Sequence, residues 1–385
     1  MIKAKYPVEK FSQWETPFYY YDLNVLRATL DEIKSQTASS NFHVHYAMKA
    51  NVNPLILKTI NEAGLGADCV SGGEVQAALD AGIPASKVVF AGVGKADWEI
   101  NLGLENDIFC FNAESVPELE VINELAAAKG KTANVALRIN PNVDAHTHHY
   151  ITTGTNENKF GINMEDIDGV VTLIKTLAHV NLIDIHFHIG SQITDLTTFH
   201  NLCVRVNELQ EQFIAKGITL KHINVGGGLG INYEHPNHFP VPEFESFFKV
   251  YRDHLNLLPG QTLHFELGRA VVAQCGSLIS RVLYVKQGAT KKFAILDAGF
   301  TDLIRPALYQ AYHRIENLSS ELAEDVYDVV GPICESSDTF AKDYRMNGTK
   351  RGDLIALRSA GAYGEIMASQ YNLRRLPKAY TSDEV

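Results

Sequence analysis

Along most of the chain, short runs rich in β-branched and aromatic residues alternate with longer stretches whose apolar positions recur every three or four residues. The runs are FHVHYAMKA, GLGADCVSG, KVVFAGVGK, DIFCFNAES, NVALRINPN, VNLIDIHFHIG, LKHINVGGG and TLHFELGRA. Between them, segments such as SVPELEVINELAAAKG and TTFHNLCVRVNELQEQFIAKG keep the helical period and place a glycine just past its end. Asp97 to Glu105 is the weakest of the helical stretches. Eight strand–helix units in about 230 residues predict an α/β fold, a parallel TIM-type (β/α)8 barrel enclosed by helices. A doubly wound open sheet has the same right-handed crossovers but fits eight units less well.

A barrel makes a sharper demand, because its active site lies on the face where the strands end. Polar residues gather there. Lys49 and Asn51 end the first run, Asp68 and Ser71 the second, Asn112 the fourth, Arg138 and Asn140 the fifth. His186, His188 and Ser191 end the sixth, Gly226 to Gly228 the seventh, Glu266 and Arg269 the eighth.

After Arg269 the texture changes. AVVAQCGSLISRVLYVKQ, KKFAILDAG, VYDVVGPIC and GDLIALRSAG read as strands without comparable amphipathic helices between them. They predict a second, mostly β C-terminal domain, which TPFYYYD near the start helps complete. The expected division is residues 25–268 for the barrel, and 1–24 with 269–385 for the β domain.

Composition narrows the function classes. The chain is 45% hydrophobic and 21% charged, and its 45 acids against 34 bases give a net charge of −11. That balance argues against a nucleic-acid or anionic-membrane partner, which would call for a basic face. No apolar run approaches the roughly 20 residues that span a bilayer, and MIKAKYPVEKFSQWETPF lacks a signal peptide's apolar core. The five cysteines are odd in number and widely spaced, which reads as reduced thiols in a cytoplasmic protein.

Several strand ends carry candidate chemistry. In an extended run, His43, His45, Ala47 and Lys49 share one face. An amine at a partly desolvated barrel mouth has a lowered pKa and makes a competent Schiff-base nucleophile; the alternative is a salt-bridged structural lysine. The glycines of INVGGGLGINY let backbone N–H groups approach an anion, or serve a tight turn only. Ile231 stands where a dinucleotide fingerprint needs glycine. The pairs in HFHIGSQ and HVH suit a metal-dependent hydrolase with Lys49 as a carbamylated bridge. His45, however, lies roughly 13 Å from Lys49 at ~3.3 Å per residue of strand, too far to share an ion. His188 can instead stack on a flat ligand. Glu266 can hold a proton on a pyridine-type nitrogen and Arg269 can fork onto a carboxylate or phosphate, or the two simply pair. In the β domain, DLIRPALYQAYH, GPICESSD and SAGAYGEIMASQYN supply Arg305, Tyr309, Cys334, Glu335, Tyr363 and Tyr371. Cys334, following Gly-Pro and preceding acids and serines, reads as an accessible thiol able to donate a proton.

YAMKAN, DCVSGGE, HIGSQ, NVGGGLG, ELGR, DLIRPALY, CESSD and GAYGE, in this order over nearly the whole chain, resemble the fold type III pyridoxal-phosphate decarboxylases, and within them the diaminopimelate decarboxylase family. The resemblance implies an alanine-racemase-like barrel, pyridoxal 5'-phosphate as cofactor, a homodimer with shared active sites, and conversion of meso-2,6-diaminopimelate to L-lysine and CO2. It implies that Lys49 carries the cofactor covalently. Asp68, His188, Ser191, Gly226, Gly227, Gly228, Glu266, Gly268, Arg269 and Tyr363 complete the cofactor site, with His188 stacked on the ring and Glu266 at its nitrogen. Arg269, Arg305, Tyr309, Glu335 and Tyr363 grip the substrate, and Cys334 of the partner subunit returns a proton to carbon. The alternatives are a decarboxylase of another basic amino acid or carboxylated polyamine, the metal-dependent hydrolase, and a non-catalytic carrier of pyridoxal phosphate. The chain departs from the family pattern at Leu267, where proline is usual and fixes φ, and at Arg375, where proline is common.

Overall fold

The computed structural model describes residues 6–143 and 159–385. Residues 1–5 of the expected β domain, and 144–158 of the expected barrel range, lie outside the described residues. The chain divides into two compact units. One comprises Leu30–Gly230 and Glu243–Gly268, the other Met1–Thr29, Ile231–Pro242 and Arg269–Val385.

The chain enters through α1 (Val8–Phe11), β1 (Phe18–Tyr21) and α2 (Leu23–Thr37). The barrel follows as β2 (Phe42–Ala47), α3 (Pro54–Glu62), β3 (Gly66–Cys69), α4 (Gly72–Asp80), β4 (Val88–Phe90), α5 (Asp97–Glu105), β5 (Cys110–Ala113), α6 (Val116–Ala128) and β6 (Ala133–Arg138). It continues through α7 (Ile167–Ile174), β7 (Val180–His186), α8 (Leu196–Ala215), β8 (His222–Asn224), α9 (Phe244–His254) and β9 (Thr262–Leu267). The eight strands β2 to β9 close in sequence order, with β9 pairing back on β2 in parallel and Glu266 opposite His45. The eight runs read from the sequence are these strands.

Local chemistry starts the helices where the pattern places them. The side chains of Asn53, Ser71, Ser115 and Asp195 accept hydrogen bonds from the first turns of α3, α4, α6 and α8, satisfying N–H groups that a helix leaves open. The weak stretch at Asp97 is fully helical because Glu99 ties it down, accepting from Ala96 N–H at 2.8 Å and from Gly72 N–H at 2.6 Å. On α9, Phe247, Phe248 and Tyr251 pack edge-on against Phe265 of β9 at centroid distances of 5.7, 4.9 and 5.1 Å, which fixes the strand bearing Glu266.

The second unit adds α10 (Arg269–Val272), β10 (Gly276–Gln287), β11 (Lys292–Leu296), α11 (Arg305–Tyr309), β12 (Ile315–Asn317), β13 (Glu324–Val330), β14 (Thr339–Asn347), β15 (Leu354–Leu357) and β16 (Lys378–Thr381). Its sheet has the order β12-β15-β10-β11-β13-β14, with β1 antiparallel to β10 and parallel to β16. Phe11, Phe18, Tyr20, Ile279, Leu354 and Ala356 form a core there, against which Trp14 stacks on Tyr380 at 4.0 Å. The N-terminal strand thus completes a β unit, and the fold is a (β/α)8 barrel with a mostly β second domain.

Three details differ from the sequence reading. The run AVVAQCGSLIS is not strand throughout, since residues 269–272 are helical and the strand begins at Gly276. Strands β12, β14 and β16 were not anticipated; β12 and β14 are the outermost of the ordered sheet, and charged outward positions on such edges erase the alternation that marks a buried strand. Residues 231–242 leave the barrel unit altogether, held by Gln274, whose Nε2 donates to the Asn232 and Phe239 carbonyls at 3.2 and 2.9 Å. Among the described residues no helix is long and apolar enough to cross a membrane.

Gly361 passes so close to α10 that a Cβ there would lie 2.0 Å from the Val272 carbonyl oxygen. Backbone cannot yield as a side chain can, so Gly361→Ala is expected to lower the melting temperature by several degrees, from about 1–3 kcal/mol of overpacking. An unchanged melting temperature in a thermal scan contradicts this close approach.

Candidate active site

The strand ends of the barrel converge on Glu266, 5% exposed. Its Oε1 accepts from Asn112 Nδ2 at 3.0 Å and Asn224 Nδ2 at 2.8 Å, and His186 Nε2 donates to its Oε2 at 2.8 Å. These partners come from β5, β8 and β7, and the period of two along each strand turns them inward. Burial works to raise the Glu266 pKa, but His186, by charge and hydrogen bond, and the Asn224 hydrogen bond work against it, and the carboxyl is held well below the usual range. Both carboxylate oxygens are therefore engaged by donors from the barrel itself. Asp68 and Asp184 behave oppositely. Burial, reinforced by the Glu266 charge, pushes both well above the usual carboxylate range, against the pull of Lys49 in the case of Asp68. Of these three carboxyls, Glu266 is the one held ionised.

Lys49 is placed differently from the sequence expectation. The strand stops at Ala47, and Met48–Ala50 form a single 3-10 turn, so the alternation of His43, His45 and Ala47 does not run on to Lys49. The turn carries the amine, half-buried, onto the rim, where its charge is felt by Asp68, Glu74 and His188. His188 lies beyond the end of β7. Burial, then the charges of Lys49 and Arg138, keep its pKa well below the ordinary histidine value, so it presents a neutral ring.

The loop after β7, which bears Ser191, is stitched to the glycine loop after β8. Ile193 N–H donates to the Gly228 carbonyl and Gly230 N–H to the Ile193 carbonyl, each at 2.9 Å. A Cβ on Gly226 would lie 2.2 Å from the Phe187 carbonyl oxygen, and one on Gly227 2.0 Å from that of Glu266. No side chain fits on this loop, whose close passage sets backbone amides beside the Glu266 strand. Gly268 is nearly as tight, against the Ala47 and Ala50 methyls at 3.1 and 3.2 Å. Arg138 donates to Glu114 Oε1 at 2.8 Å and lies over Phe160 at 4.7 Å.

In the second unit, Arg269 and Arg305 form a cluster of their own, 6% and 5% exposed. Arg269 Nη1 donates to the Tyr233 hydroxyl at 2.6 Å and its guanidinium lies 5.0 Å from the Tyr363 ring. Arg305 lies 5.2 Å from the Tyr233 ring and donates to His313 Nε2 at 2.9 Å. Tyr309 ends α11, half-buried, and its hydroxyl is among the groups that act on Arg269. Cys334 and Glu335 belong to an exposed loop knitted to Tyr371 and Asn372. The Cys334 N–H donates to Asn372 Oδ1 at 3.2 Å and the Tyr371 hydroxyl to Glu335 Oε1 at 2.7 Å. The sequence reading had missed Asn224, Tyr233 and His313. Alternation along LKHINV marks Asn224 as inward, whereas nothing local marks Tyr233, which acquires its role through the excursion of residues 231–242.

Of the histidines considered for a metal, His186 and His188 lie near Glu266, whereas His43 and His45 line the opposite end of the barrel. His43, His45, His222 and His264 border a cavity of about 670 Å3 with Phe109 and Lys87. Donation runs one way through them. His222 Nδ1 donates to Thr262 Oγ1 (2.7 Å), which donates to His264 Nε2 (2.8 Å); His264 Nδ1 donates to His45 Nε2 (2.8 Å), and His45 Nδ1 to the Lys87 carbonyl (3.0 Å). With His45 and His264 neutral, the Lys87 carbonyl, which can only accept, sets this direction. Among the described residues no group of three or more His, Cys, Asp or Glu is disposed to hold a metal ion.

A parallel barrel with a rim lysine, a neutral ring beside it and one carboxylate kept ionised by three donors is the frame of a pyridoxal-phosphate enzyme. The family described as pyridoxal-dependent decarboxylase, pyridoxal binding domain, matches residues 24–273. The chain is 66% identical over all 385 residues, the full length of both proteins, to a diaminopimelate decarboxylase of Bacteroides thetaiotaomicron, and 42% identical over 370 residues to one of Helicobacter pylori (95% of this chain, 90% of the other). A crystal structure of the Helicobacter pylori enzyme complexed with L-lysine superposes with a TM-score of 0.92 at 40% identity, covering 98% of this chain and 94% of that one. The chain belongs to the diaminopimelate decarboxylase family of pyridoxal-dependent decarboxylases. A lysine/ornithine decarboxylase of Vibrio vulnificus, 21% identical with a TM-score of 0.85 over 97% of this chain and 96% of its own, shares the fold.

The floor histidines make stability depend on pH. Burial first, and neighbouring charges second, bring His222 down to about 4; burial brings His45 to about 4 even though Glu266 opposes it; and His43 and His264 are lowered as well. In the unfolded chain these groups titrate near 6.5. Stability they contribute above that pH is lost as pH falls from about 6.5 towards 4, at no more than about 1.4 kcal/mol per unit for each histidine and less for the solvent-facing His43 and His222. Lys34, Lys87 and Glu62 also face this cavity, and buried Asp68 and Asp184 titrate in the opposite sense, so the informative quantity is a difference. The drop in urea midpoint between pH 7 and pH 5 is expected to shrink in His45→Asn, which keeps a donor for the Lys87 carbonyl. An equal drop in the variant contradicts the assignment.

Proposed function

We propose that this chain removes one carboxylate of meso-2,6-diaminopimelate as CO2 and releases L-lysine, with pyridoxal 5'-phosphate attached to Lys49. The observation that carries the reading is Glu266, ionised and held on both oxygens by His186, Asn112 and Asn224 inside the barrel that bears Lys49. The cofactor fits this frame on structural grounds. Its phosphate needs backbone amides with no Cβ in the way, for which Gly227 and Gly228 are suited while the Gly226 N–H donates to Asn224 Oδ1 at 2.9 Å, and its ring nitrogen needs a fixed anion. When bound, it supplies an electron sink for the pair released as the carbon–carboxylate bond breaks. Glu266 would keep a proton on the ring nitrogen, and His188, itself neutral, would pack against the ring without adding charge. By resemblance to the family, Asp68, Ser191, Gly268, Arg269 and Tyr363 would also belong to the cofactor site.

Diaminopimelate carries a second amino-acid end, so specificity demands a cation and an acid away from the reacting carbon. Arg305, with Arg269, Tyr309 and Tyr363 beside it, suits a carboxylate, and Glu335 suits an ammonium group. A substrate without a distal carboxylate has no use for Arg305. Loss of CO2 leaves an electron pair on carbon and consumes one proton per turnover, which the Cys334 thiol donates. Cys334 is exposed, and Leu373 and Leu376 of the same C-terminal region are 97% and 52% exposed. Such a surface suits burial against a second copy of the chain, with Cys334 acting in the partner's site. The five thiols are all free, four of them buried, in keeping with a cytoplasmic enzyme.

Purified protein is expected to absorb visible light, to lose that band on borohydride reduction, and to yield one labelled peptide containing Lys49; a label elsewhere on active enzyme overturns the reading. The Cys334→Ala variant is expected to keep its cofactor and lose turnover by roughly 10²-fold or more. Mixing it with Lys49→Ala should restore part of the activity, since one hybrid site is then intact. Complete failure of the two variants to complement rules out the shared site.

A further inference from the structure

The tract DLIRPALYQAYH ends in His313, to which the proposed reaction assigns no part. His313 is 3% exposed. Its Nδ1 faces the Arg358 carbonyl at 2.8 Å, and a carbonyl only accepts, so Nδ1 carries the proton. Its Nε2 then presents a lone pair, into which Arg305 Nη1 donates at 2.9 Å. The carbonyl that sets this tautomer is itself anchored, since Arg358 donates to Glu316 Oε2 at 2.7 Å and to Asn237 Oδ1 at 3.1 Å. The Arg305 guanidinium also lies 5.2 Å from the centre of the Tyr233 ring, whose hydroxyl accepts from Arg269. The His313 ring meets the Tyr233 ring edge-on at 5.3 Å. Among the described residues no Asp or Glu forms a salt bridge with Arg305. A guanidinium that is 5% exposed is thus held by an uncharged imidazole acceptor and packed near an aromatic ring.

A buried cation without a counter-ion is costly, and a carboxylate at position 313 would have removed that cost in the free protein. It would also have neutralised Arg305 and competed with an incoming anion. A neutral acceptor fixes the guanidinium plane and leaves its charge for a ligand. We propose that His313 and Tyr233 are positioning residues that hold Arg305 oriented and uncompensated for the distal carboxylate of the substrate. This rests on the reading of Arg305 as a carboxylate receptor. The tautomer assignment agrees with the surroundings: burial, then the charges of Arg305 and Arg269, bring His313 down to about 3, so it stays neutral throughout any working pH.

The test uses holoenzyme of the wild type, His313→Leu, His313→Gln and Tyr233→Phe. Glutamine keeps a neutral acceptor near the Nε2 position and leucine does not. His313→Leu is expected to raise KM for diaminopimelate about 10- to 100-fold, as for loss of a hydrogen bond to a charged group, with kcat changed far less. His313→Gln should recover most of that loss, and Tyr233→Phe, which keeps the ring, should fall between. In parallel, pimelate, a seven-carbon dicarboxylate with no amine, should raise the melting temperature of the wild type, and do so much less for His313→Leu. Wild type that releases no CO2 from diaminopimelate defeats the functional reading alone, because the pimelate titration still reports on Arg305. Turnover with an unchanged KM in His313→Leu, a glutamine variant as impaired as the leucine one, or no pimelate shift in the wild type overturns the positioning role.

Discussion

A carboxylate that must stay ionised inside a closed parallel barrel constrains much of this structure. Taking a charge out of water is expensive unless hydrogen bonds replace what water supplied. Glu266 obtains them from Asn112, His186 and Asn224, on three different strands. Each of those strands must therefore keep its register, and the barrel must close so that β9 returns beside β2. The aromatic ring of Phe265, one residue earlier and facing outward, is clasped by α9. The same strand thus holds its charge on one face and its packing on the other.

Burial first, and for the two aspartates that charge second, order the titration of the neighbours of Glu266. Asp68 and Asp184, buried in the same interior, are pushed towards their neutral forms, and His188 stays an uncharged ring under the influence of Lys49 and Arg138. A rim amine, a flat neutral ring and a fixed anion then have distinct roles without competing for the same proton. The glycine loop adds a geometric condition, since at Gly226 and Gly227 the backbone runs too near neighbouring carbonyls to admit a side chain.

The second unit treats charge in the opposite way. In its arginine cluster the buried groups are cations, and Arg305 is met by the neutral acceptor His313 and by the Tyr233 ring. An anion made permanent in one place and a cation left uncompensated in another are complementary devices. In the proposed reaction the first would polarise a bound ring and the second would reserve affinity for a ligand's carboxylate.

Periodicity along the sequence determined the eight barrel strands, the amphipathic helices and the polar character of the strand ends, because each of these is set by residues two, three or four positions apart. Motif chemistry carried Lys49, Glu266, Arg269 and the glycine loop into one hypothesis. Other features were decided only by the tertiary structure. Lys49 leaves the strand face through a 3-10 turn, α5 is secured by Glu99 reaching the Gly72 N–H, and edge strands β12 and β14 emerge only once β15 and β13 are there to pair with them. Tyr233 joins Arg269 and Arg305 because residues 231–242 fold away from the barrel they interrupt. His313 acquires a defined tautomer from a carbonyl 45 residues further along the chain. Such contacts join positions far apart in sequence, so no local period records them; they exist only where the closed fold brings a donor to its acceptor.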